Sequence, residues 1–323
     1  MRRFALACLT LIASLALIVF CVWLAGRHRV LPAELAKTSS FQLAQDHGRF
    51  VAIQGLNIFA ITMGAGRDVL LIHGDPASTW SWRKVMEPLS AQFRVHAIDL
   101  PGYGFSDKPD GATYDDSFMV RYVMGYLDEE GIKSAVLVGN SVGGEIASQA
   151  AIEHPERISA LVLIDATGIP PEPGHEITDS APPLIARMSV WPLVGPVVRS
   201  MPFRSVVRDG LRQAVYDPTE ITERDVDAWY APLRTQGGAN AYLSRMMLTI
   251  SQSRREQIKT IKAPTLVITG ENDQVVSPWV AERYHYLIAG SGLVVIKDTG
   301  HMAQEERPER TIAEIKSFLQ AHP

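Results

Sequence analysis

Short apolar runs rich in β-branched residues alternate with helical patterns along most of this chain, and this alternation constrains the fold more than any other feature. Runs that are apolar along their whole length are typical of strands covered on both faces, as in a parallel sheet with crossover helices. The first two runs, residues 50–53 and 56–63, predict an antiparallel hairpin that turns at Gly55. The remaining predicted strands are residues 68–72, 93–98, 135–138, 158–164, 265–269 and 293–296. The predicted helices are residues 78–89, 114–129, 143–154, 278–288 and 308–320. The sequence therefore predicts an α/β fold with a mostly parallel sheet flanked by helices.

One interval breaks the alternation. Between the strand that ends at Ile164 and the strand that begins at Thr265, the chain has 100 residues instead of a single helix. The interval begins rich in proline and continues with helical periodicity, including an N-cap pattern at Asp217-Pro218-Thr219-Glu220. We therefore expect a helical cap at residues 168–250, inserted into a core formed by residues 49–167 and 251–323.

The sequence Gly139-Asn140-Ser141-Val142-Gly143 lies directly between a predicted strand and a predicted helix. In that position G-x-S-x-G is the nucleophile elbow, in which the glycines permit a sharp turn and the serine hydroxyl projects above the sheet. The pattern alone is weak in a chain with 24 glycines, but its place between strand and helix makes it specific. Ser141 is the candidate nucleophile.

A serine nucleophile needs a histidine base and a carboxylate that orients the base. His301 follows the last predicted strand and Asp273 follows the strand before it, so both lie where open α/β sheets place their sites. The order Ser141, Asp273, His301 is the order that this elbow architecture uses. Asp165, which also ends a predicted strand, is the competing acid.

An acyl-transfer site also needs two donors for the oxyanion of the tetrahedral intermediate. The backbone N–H of Val142, at the start of the helix after Ser141, is one candidate. The second is expected in the loop His73-Gly74-Asp75-Pro76; Pro76 has no N–H, so Asp75 is the candidate. A plain strand-to-helix turn is the alternative interpretation of this loop.

The amino-terminal segment predicts a membrane anchor. Residues 4–25 form a run of 22 residues without a charge, which as a helix is roughly 33 Å long and sufficient to cross a bilayer. A cleaved signal peptide is the alternative, although the run is too long and lacks a good cleavage site. The sequence therefore predicts a transmembrane signal-anchor at residues 1–29, a connector at 30–48 and a catalytic domain on the extracytoplasmic side.

Composition excludes several classes of partner. Lys and Arg number 31 against 35 acidic residues, with no basic block, so the chain has no electrostatic footprint for nucleic acid. Its two cysteines, Cys8 and Cys21, both lie in the first apolar run. A disulfide scaffold and a cysteine-ligated zinc site are therefore not expected.

The chain resembles the α/β-hydrolase family over about residues 50–320. The resemblance rests on His73-Gly74-Asp75-Pro76, residues 99–109, the Ser141 elbow, residues 154–158, residues 270–273 and Gly300-His301. It implies a sheet of eight strands, a cap over the serine, and neither a metal nor an organic cofactor. Ser141 differs from the aspartate nucleophile of the family's haloalkane dehalogenases and epoxide hydrolases, which makes those two activities unexpected.

Residues 138–144 are also similar to the carbon–carbon bond hydrolases of aromatic-ring catabolism. Those enzymes usually carry a tryptophan after the catalytic histidine and a glycine-rich oxyanion loop, whereas this chain has Met302 and Asp75-Pro76. Together with the predicted anchor, these differences favour a resemblance to membrane-associated and secreted lipases and esterases.

The expected function is hydrolysis of a lipophilic small-molecule ester through an acyl-enzyme on Ser141. Trp80, Trp191 and Met302 are the candidate substrate contacts, although the apolar cap residues can equally well pack the cap onto the core. Carbon–carbon bond hydrolysis of a vinylogous diketone is the alternative activity. A catalytically silent, membrane-tethered binding protein is the alternative outside enzymes.

Overall fold

The computed structural model describes residues 10, 13–17, 19–20, 47–170, 172, 184–191, 194–199, 204–248 and 252–323. Within them, one sheet has eight strands in the order β1-β2-β4-β3-β5-β6-β7-β8. Strand β2 runs antiparallel to β1 and β4, and all other neighbours are parallel. The strands are β1 (Gly48–Ile53), β2 (Leu56–Met63), β3 (Asp68–Ile72), β4 (Arg94–Ile98), β5 (Ala135–Asn140), β6 (Ile158–Ile164), β7 (Thr265–Gly270) and β8 (Gly292–Ile296). The predicted α/β fold, its hairpin and its mostly parallel eight-stranded sheet are confirmed.

Helices fill the connections between the strands. Those that cover the sheet are α1 (Arg83–Ser90), α2 (Asp116–Glu129), α3 (Val142–Glu153), α10 (Pro278–Leu287), α11 (Ala303–Glu306) and α12 (Pro308–Ala321). Those between β6 and β7 are α4 (Leu184–Ser189), α5 (Gly195–Arg199), α6 (Arg204–Ala214), α7 (Glu223–Leu233), α8 (Asn240–Arg245) and α9 (Arg254–Ile258). Short 3-10 helices occur at Thr79–Trp82, Pro155–Arg157 and Pro218–Glu220.

The core consists of two apolar layers, one on each face of the sheet. In β3, Leu70 and Ile72 pack into the layer beneath α2, α3 and α10, whereas Val69 and Leu71 pack into the layer beneath α1 and α12. All four side chains are fully buried. Because this strand is covered on both faces, its four consecutive residues 69–72 are all apolar.

The predicted helix at residues 78–89 differs in detail from the structure. Its first turn is the 3-10 helix Thr79–Trp82, and the α-helix begins only at Arg83. The side chain of Ser78 accepts a hydrogen bond from the N–H of Trp80, and Asp99 accepts one from the N–H of Thr79 at 2.6 Å. These two acceptors satisfy the amide groups of a tighter turn than the periodicity predicts.

Helices α4 to α8 lie within the predicted cap at residues 168–250 and α9 follows it, while the exact limits of the cap stay a prediction. The Asp217 side chain caps only the 3-10 helix Pro218–Glu220, not an α-helix. Helix α7 begins after Thr222, which forms a reciprocal capping box with Asp225. The predicted N-cap thus belongs to the turn that precedes the helix.

A buried arginine joins the cap to the core. Arg245 of α8 donates to the carbonyl of Tyr114 at 2.8 Å and to Asp116 at 3.0 Å, and its Nε lies 3.4 Å from the Asp75 carboxylate. Arg254 of α9 also pairs with Asp116, at 3.3 Å. Because these groups are largely withdrawn from water, removing one partner would leave an uncompensated charge, so the pairs define how the cap sits on the core.

Most of the predicted anchor at residues 1–29, and most of the connector at 30–48, lie outside the described residues. Across the ranges that the structure describes, no helix combines the length and apolar character needed to span a bilayer. The predictions of a single-pass membrane anchor and of an extracytoplasmic catalytic domain are corrected by this finding.

Replacing Gly143 by alanine is expected to destabilise the fold. An added Cβ would lie 2.1 Å from the carbonyl oxygen of Ile72 and 2.6 Å from that of His73, so backbone must shift. We expect the free energy of unfolding in urea to fall by about 1–3 kcal/mol. Gly210→Ala is the matched control, because a Cβ at this position in α6 meets nothing within 4 Å. The control should gain about 0.5–1 kcal/mol; equal stability of the two variants would contradict the close packing at Gly143.

Candidate active site

Ser141 occupies the turn between β5 and α3 with a left-handed backbone, at φ 54° and ψ −123°. Such a conformation costs a non-glycine residue about 1–3 kcal/mol and persists only when its surroundings enforce it. A Cβ on Gly139 would lie 2.3 Å from the carbonyl oxygen of Gly143, and one on Gly143 would meet β3. The glycines of the motif therefore let strand and helix pack closely enough to hold the serine in this turn.

Asp273 and His301 come together at the carboxyl ends of β7 and β8. The Nδ1 atom of His301 lies 2.8 Å from Oδ2 of Asp273, whose side chain has no exposed surface. The other carboxylate oxygen accepts the N–H groups of Val275 at 2.8 Å and Val276 at 2.9 Å. These hydrogen bonds fix the carboxylate, and the carboxylate in turn fixes the imidazole.

The charge of Asp273 also changes the acidity of the histidine. Burial lowers the pKa of the His301 imidazole, but the hydrogen bond and the negative charge of Asp273 outweigh burial, so this pKa lies above its ordinary value. A base with a raised pKa accepts a proton more readily from a nearby hydroxyl.

Asp165, the competing acid, lies beside this pair but has a different partner. Its Oδ1 accepts the N–H of Gly270 at 2.8 Å, while its Oδ2 is buried without a hydrogen-bond partner among the described residues. Burial, together with repulsion from Asp273, raises the pKa of the Asp165 carboxyl to about 8. The Nδ1 hydrogen bond of the imidazole goes to Asp273, so the geometry favours Asp273 as the orienting acid.

The loop after β3 lies against the nucleophile. A Cβ on Gly74 would be 2.8 Å from the Cβ of Ser141, which shows how closely this backbone approaches. His73 holds the loop, since its Nε2 accepts the N–H of Leu100 at 3.0 Å. Asp75 follows in this loop, and Val142, as the first residue of α3, has an N–H without an acceptor inside the helix. The two residues predicted to bind the oxyanion, Asp75 and Val142, thus lie in the two chain segments that adjoin Ser141.

A cavity of about 450 Å³ opens above Ser141 and His301, between the core and the cap. Its walls are mainly apolar, and the polar residues of its lining include Asn140, Gln213 and Asp75. Ile185, Val206 and Val275 line the cavity as well and are more than half exposed, at 51%, 63% and 51%. The apolar lining comes chiefly from Val198, Val207, Leu211, Trp229, Leu233, Leu243, Met246 and Met302.

Of the three predicted substrate contacts, Met302 alone lines this cavity. Trp80 is buried in the core with the Arg83 guanidinium 4.4 Å above its ring, and Trp191 is 53% exposed on the cap surface. Neither tryptophan is part of the lining. The 3-10 helix Thr79–Trp82 carries Trp80 away from the loop that precedes it. The predictions for Trp80 and Trp191 are corrected accordingly.

Sequence reasoning missed the residues of α6 and α7 that line the cavity. Val207, Leu211 and Ala214 recur at helical spacing on one face of α6, and Trp229 approaches from α7. The spacing predicts one apolar face on α6, but it does not say what that face covers. Val198 of α5 also lines the cavity.

Known proteins share this architecture. The chain is 31% identical over 283 residues to the 2-hydroxy-6-oxo-2,4-heptadienoate hydrolase of Pseudomonas putida, covering 85% of this chain and 96% of that one. The meta-cleavage product hydrolase of Pseudomonas fluorescens IP01 is 27% identical, with a TM-score of 0.73 and coverage of 86% and 100%. A membrane phospholipase A described as a bacterial virulence factor is 26% identical, with a TM-score of 0.68 and coverage of 99% of both chains. Residues 69–314 match the alpha/beta hydrolase family, and the chain belongs to this family.

Proposed function

We propose that the chain is a serine hydrolase that forms an acyl-enzyme on Ser141. The observation that supports this proposal most directly is that Ser141 and His301 line one cavity while Asp273 is hydrogen-bonded to the far side of the imidazole. Nucleophile, base and orienting acid then stand in the order that acyl transfer requires.

In the proposed cycle, His301 removes the proton of the Ser141 hydroxyl as it attacks the carbonyl carbon, and then returns that proton to the leaving group. Asp273 keeps the Nδ1 atom protonated and stabilises the imidazolium. The N–H groups of Asp75 and Val142 bind the oxyanion. A water molecule, activated by His301 in the same way, then releases the acyl group.

The comparisons favour carbon–carbon bond hydrolysis as the reaction. A 2-hydroxy-6-oxo-2,4-heptadienoate hydrolase and a meta-cleavage product hydrolase are both similar to this chain over more than four-fifths of its length. In such a reaction, the leaving group that receives the proton from His301 is a carbon atom rather than an alcohol oxygen. These relatives support the carbon–carbon candidate better than ester cleavage.

The lining of the cavity is the specific observation that keeps ester cleavage as the second candidate. A dienoate carries a carboxylate, which needs a cationic or hydrogen-bonding partner once it is withdrawn from water. None of the described residues that line the cavity is Lys or Arg, and the acidic Asp75 among them has Arg245 beside its carboxylate. In the sequence, the cap stretches outside the described ranges contain no Lys or Arg either. The described lining therefore offers a substrate hydrogen-bonding groups such as Gln213 but no cation, which favours a neutral lipophilic substrate over an anionic one.

The two candidates are distinguished by direct assay of the full chain beside Ser141→Ala. p-Nitrophenyl esters from acetate to palmitate test ester cleavage, and loss of the dienoate chromophore tests carbon–carbon cleavage. We expect the active substrate class to lose at least about 10³-fold in kcat in the variant, as for other serine triads.

Turnover of dienoates without turnover of esters would establish the carbon–carbon candidate and overturn the argument from the cavity lining. A well-folded protein that turns over neither class, and whose Ser141 does not react with a fluorophosphonate, would contradict the serine hydrolase proposal and leave a binding protein.

The pH dependence tests the pairing of His301 with Asp273. Only the neutral imidazole is a base, so kcat/KM should fall with decreasing pH through an apparent pKa above about 6.5, the ordinary value for histidine. Asp273→Asn removes the charge and should move this limb to lower pH, with a loss of about 10⁴-fold in kcat. The measurement is the pH profile of kcat/KM. Asp165→Asn is the control, and a larger loss there than in Asp273→Asn would transfer the role to Asp165.

The cavity should discriminate against anionic substrates. We expect kcat/KM for p-nitrophenyl pentanoate to exceed that for the anionic mono-p-nitrophenyl glutarate by at least about tenfold, since the described lining offers no cation to a carboxylate withdrawn from water. Asp75→Asn keeps the backbone N–H but removes one of the acidic groups beside Arg245, so the positive charge of Arg245 is less compensated and the preference should narrow. Glu309→Gln, which removes an exposed charge on α12, is the matched control. An unchanged preference in Asp75→Asn would show that this carboxylate does not select the substrate.

A further inference from the structure

A third buried carboxylate, besides Asp273 and Asp165, binds the backbone of the loop that carries His301. Glu306, at the end of α11, is only 7% exposed. Its Oε1 accepts the N–H groups of Gly300 and Met302, each at 3.1 Å. Its Oε2 accepts the N–H of Gly300 at 3.0 Å and the N–H of Tyr216, in the cap, at 2.7 Å. One carboxylate therefore holds the amide groups on both sides of His301.

The cap contacts the same loop directly. The N–H of His301 donates to the carbonyl of Ala214 at 2.7 Å, so the last residue of α6 binds the backbone of the histidine. Gly300 permits this approach, because a Cβ there would lie 2.6 Å from the Ala214 oxygen and 2.8 Å from the Tyr216 nitrogen. The segment from Ala214 to Tyr216 is thus packed onto the histidine loop with no intervening side chain.

The elbow binds the other backbone group of His301, its carbonyl. The side-chain amide of Asn140 donates to the carbonyl of His301 and to that of Ile164, both at 3.2 Å. The N–H of His301 is therefore bound by the cap and its carbonyl by the residue that precedes the nucleophile. A displacement of the segment from Ala214 to Tyr216 would therefore also displace the backbone of His301, which carries the imidazole.

We propose that Glu306 is a positioning residue for His301 and that, through Tyr216, it couples the position of the cap to that of the imidazole. This inference rests on the proposed function, since it assigns Glu306 a role in aiming the base of that reaction. Glu306 does not line the cavity above Ser141, and the hydrogen bonds of its carboxylate go to backbone N–H groups. It therefore acts on His301 through the backbone of the loop.

The groups that face His301 allow an electrostatic test. Asp273 faces it from the loop after β7, Asp165 from the end of β6 and Glu306 from α11, and the charges of all three raise the pKa of the imidazole. Asp75 lines the same cavity from the loop after β3. The cap segment contributes only the phenol of Tyr216, which pairs with Asp298. Removing the charge of Glu306 should therefore lower the pKa of His301.

The test uses the full chain and the rate at which a fluorophosphonate labels Ser141, measured from pH 5 to 9, together with kcat and KM on the active substrate. Glu306→Gln keeps the size of the side chain and loses its charge. We expect the labelling rate and kcat to fall by about 10–100-fold, with a smaller change in KM, and the acid limb of the labelling profile to move to lower pH.

Two further variants separate position from charge. Glu306→Asp keeps the charge but is too short to span both amide groups, so it should lower the rate while leaving the acid limb nearly in place. Glu305→Gln is the matched control: this neighbouring buried carboxylate pairs with Arg83 and Lys84, not with the histidine loop. It should leave the acid limb unchanged.

The outcomes distinguish the inference from the function on which it rests. If Ser141 of the unaltered protein is not labelled, the proposed function fails. If it is labelled and folded Glu306→Gln has the same rate and acid limb, Glu306 has no positioning role. If Glu306→Gln does not fold, as judged by circular dichroism, Glu306→Asp decides: a folded protein with an unaltered labelling rate overturns the inference.

Discussion

Ser141 keeps its left-handed backbone because three chain segments pack around it without side chains between them. Cβ atoms at Gly74, Gly139 and Gly143 would lie 2.8 Å or less from neighbouring atoms of the elbow or of β3. This contact places Ser141, the start of α3 and the loop after β3 within one small volume. The positions of the proposed oxyanion donors and of the cavity floor follow from it, and the two apolar layers of the sheet supply the rigidity that maintains it.

Three carboxyl groups surround His301, and each interacts with it in a different way. Asp273 is hydrogen-bonded to the ring, Glu306 binds the flanking backbone, and burial together with repulsion from Asp273 raises the pKa of the Asp165 carboxyl to about 8. A third full charge so close to Asp273 would oppose burial of the pair. The net effect of these groups is a raised pKa of the His301 imidazole, whereas the carboxylate of Asp75, a residue of the cavity wall, lies beside the Arg245 guanidinium.

The sheet and the reactive residues are readable from the sequence because they depend on local patterns. Continuous apolar runs predict the strands, and residues such as Asp273 and His301 follow strand ends, where parallel topology brings them together. The cavity walls depend instead on how the cap folds back over the sheet, which no periodicity specifies. Trp80 illustrates the limit: it is four residues beyond Pro76, yet a tight turn directs it into the core. Leu211 and Trp229 are distant in sequence from Ser141, and tertiary packing brings them into the lining of the same cavity.

The cap is fastened to the core on both sides of the cavity, by Arg245 at the oxyanion loop and by Ala214 and Tyr216 at the histidine loop. Between these attachments, Ile185 and Val206 project from α4 and α6 at the mouth and make none of them. Side chains at the mouth can therefore be exchanged without disturbing the attachments that hold the histidine loop. Such a division separates the residues that a substrate meets first from the backbone around His301, and it is a physical route by which one scaffold can serve chemically different hydrolases.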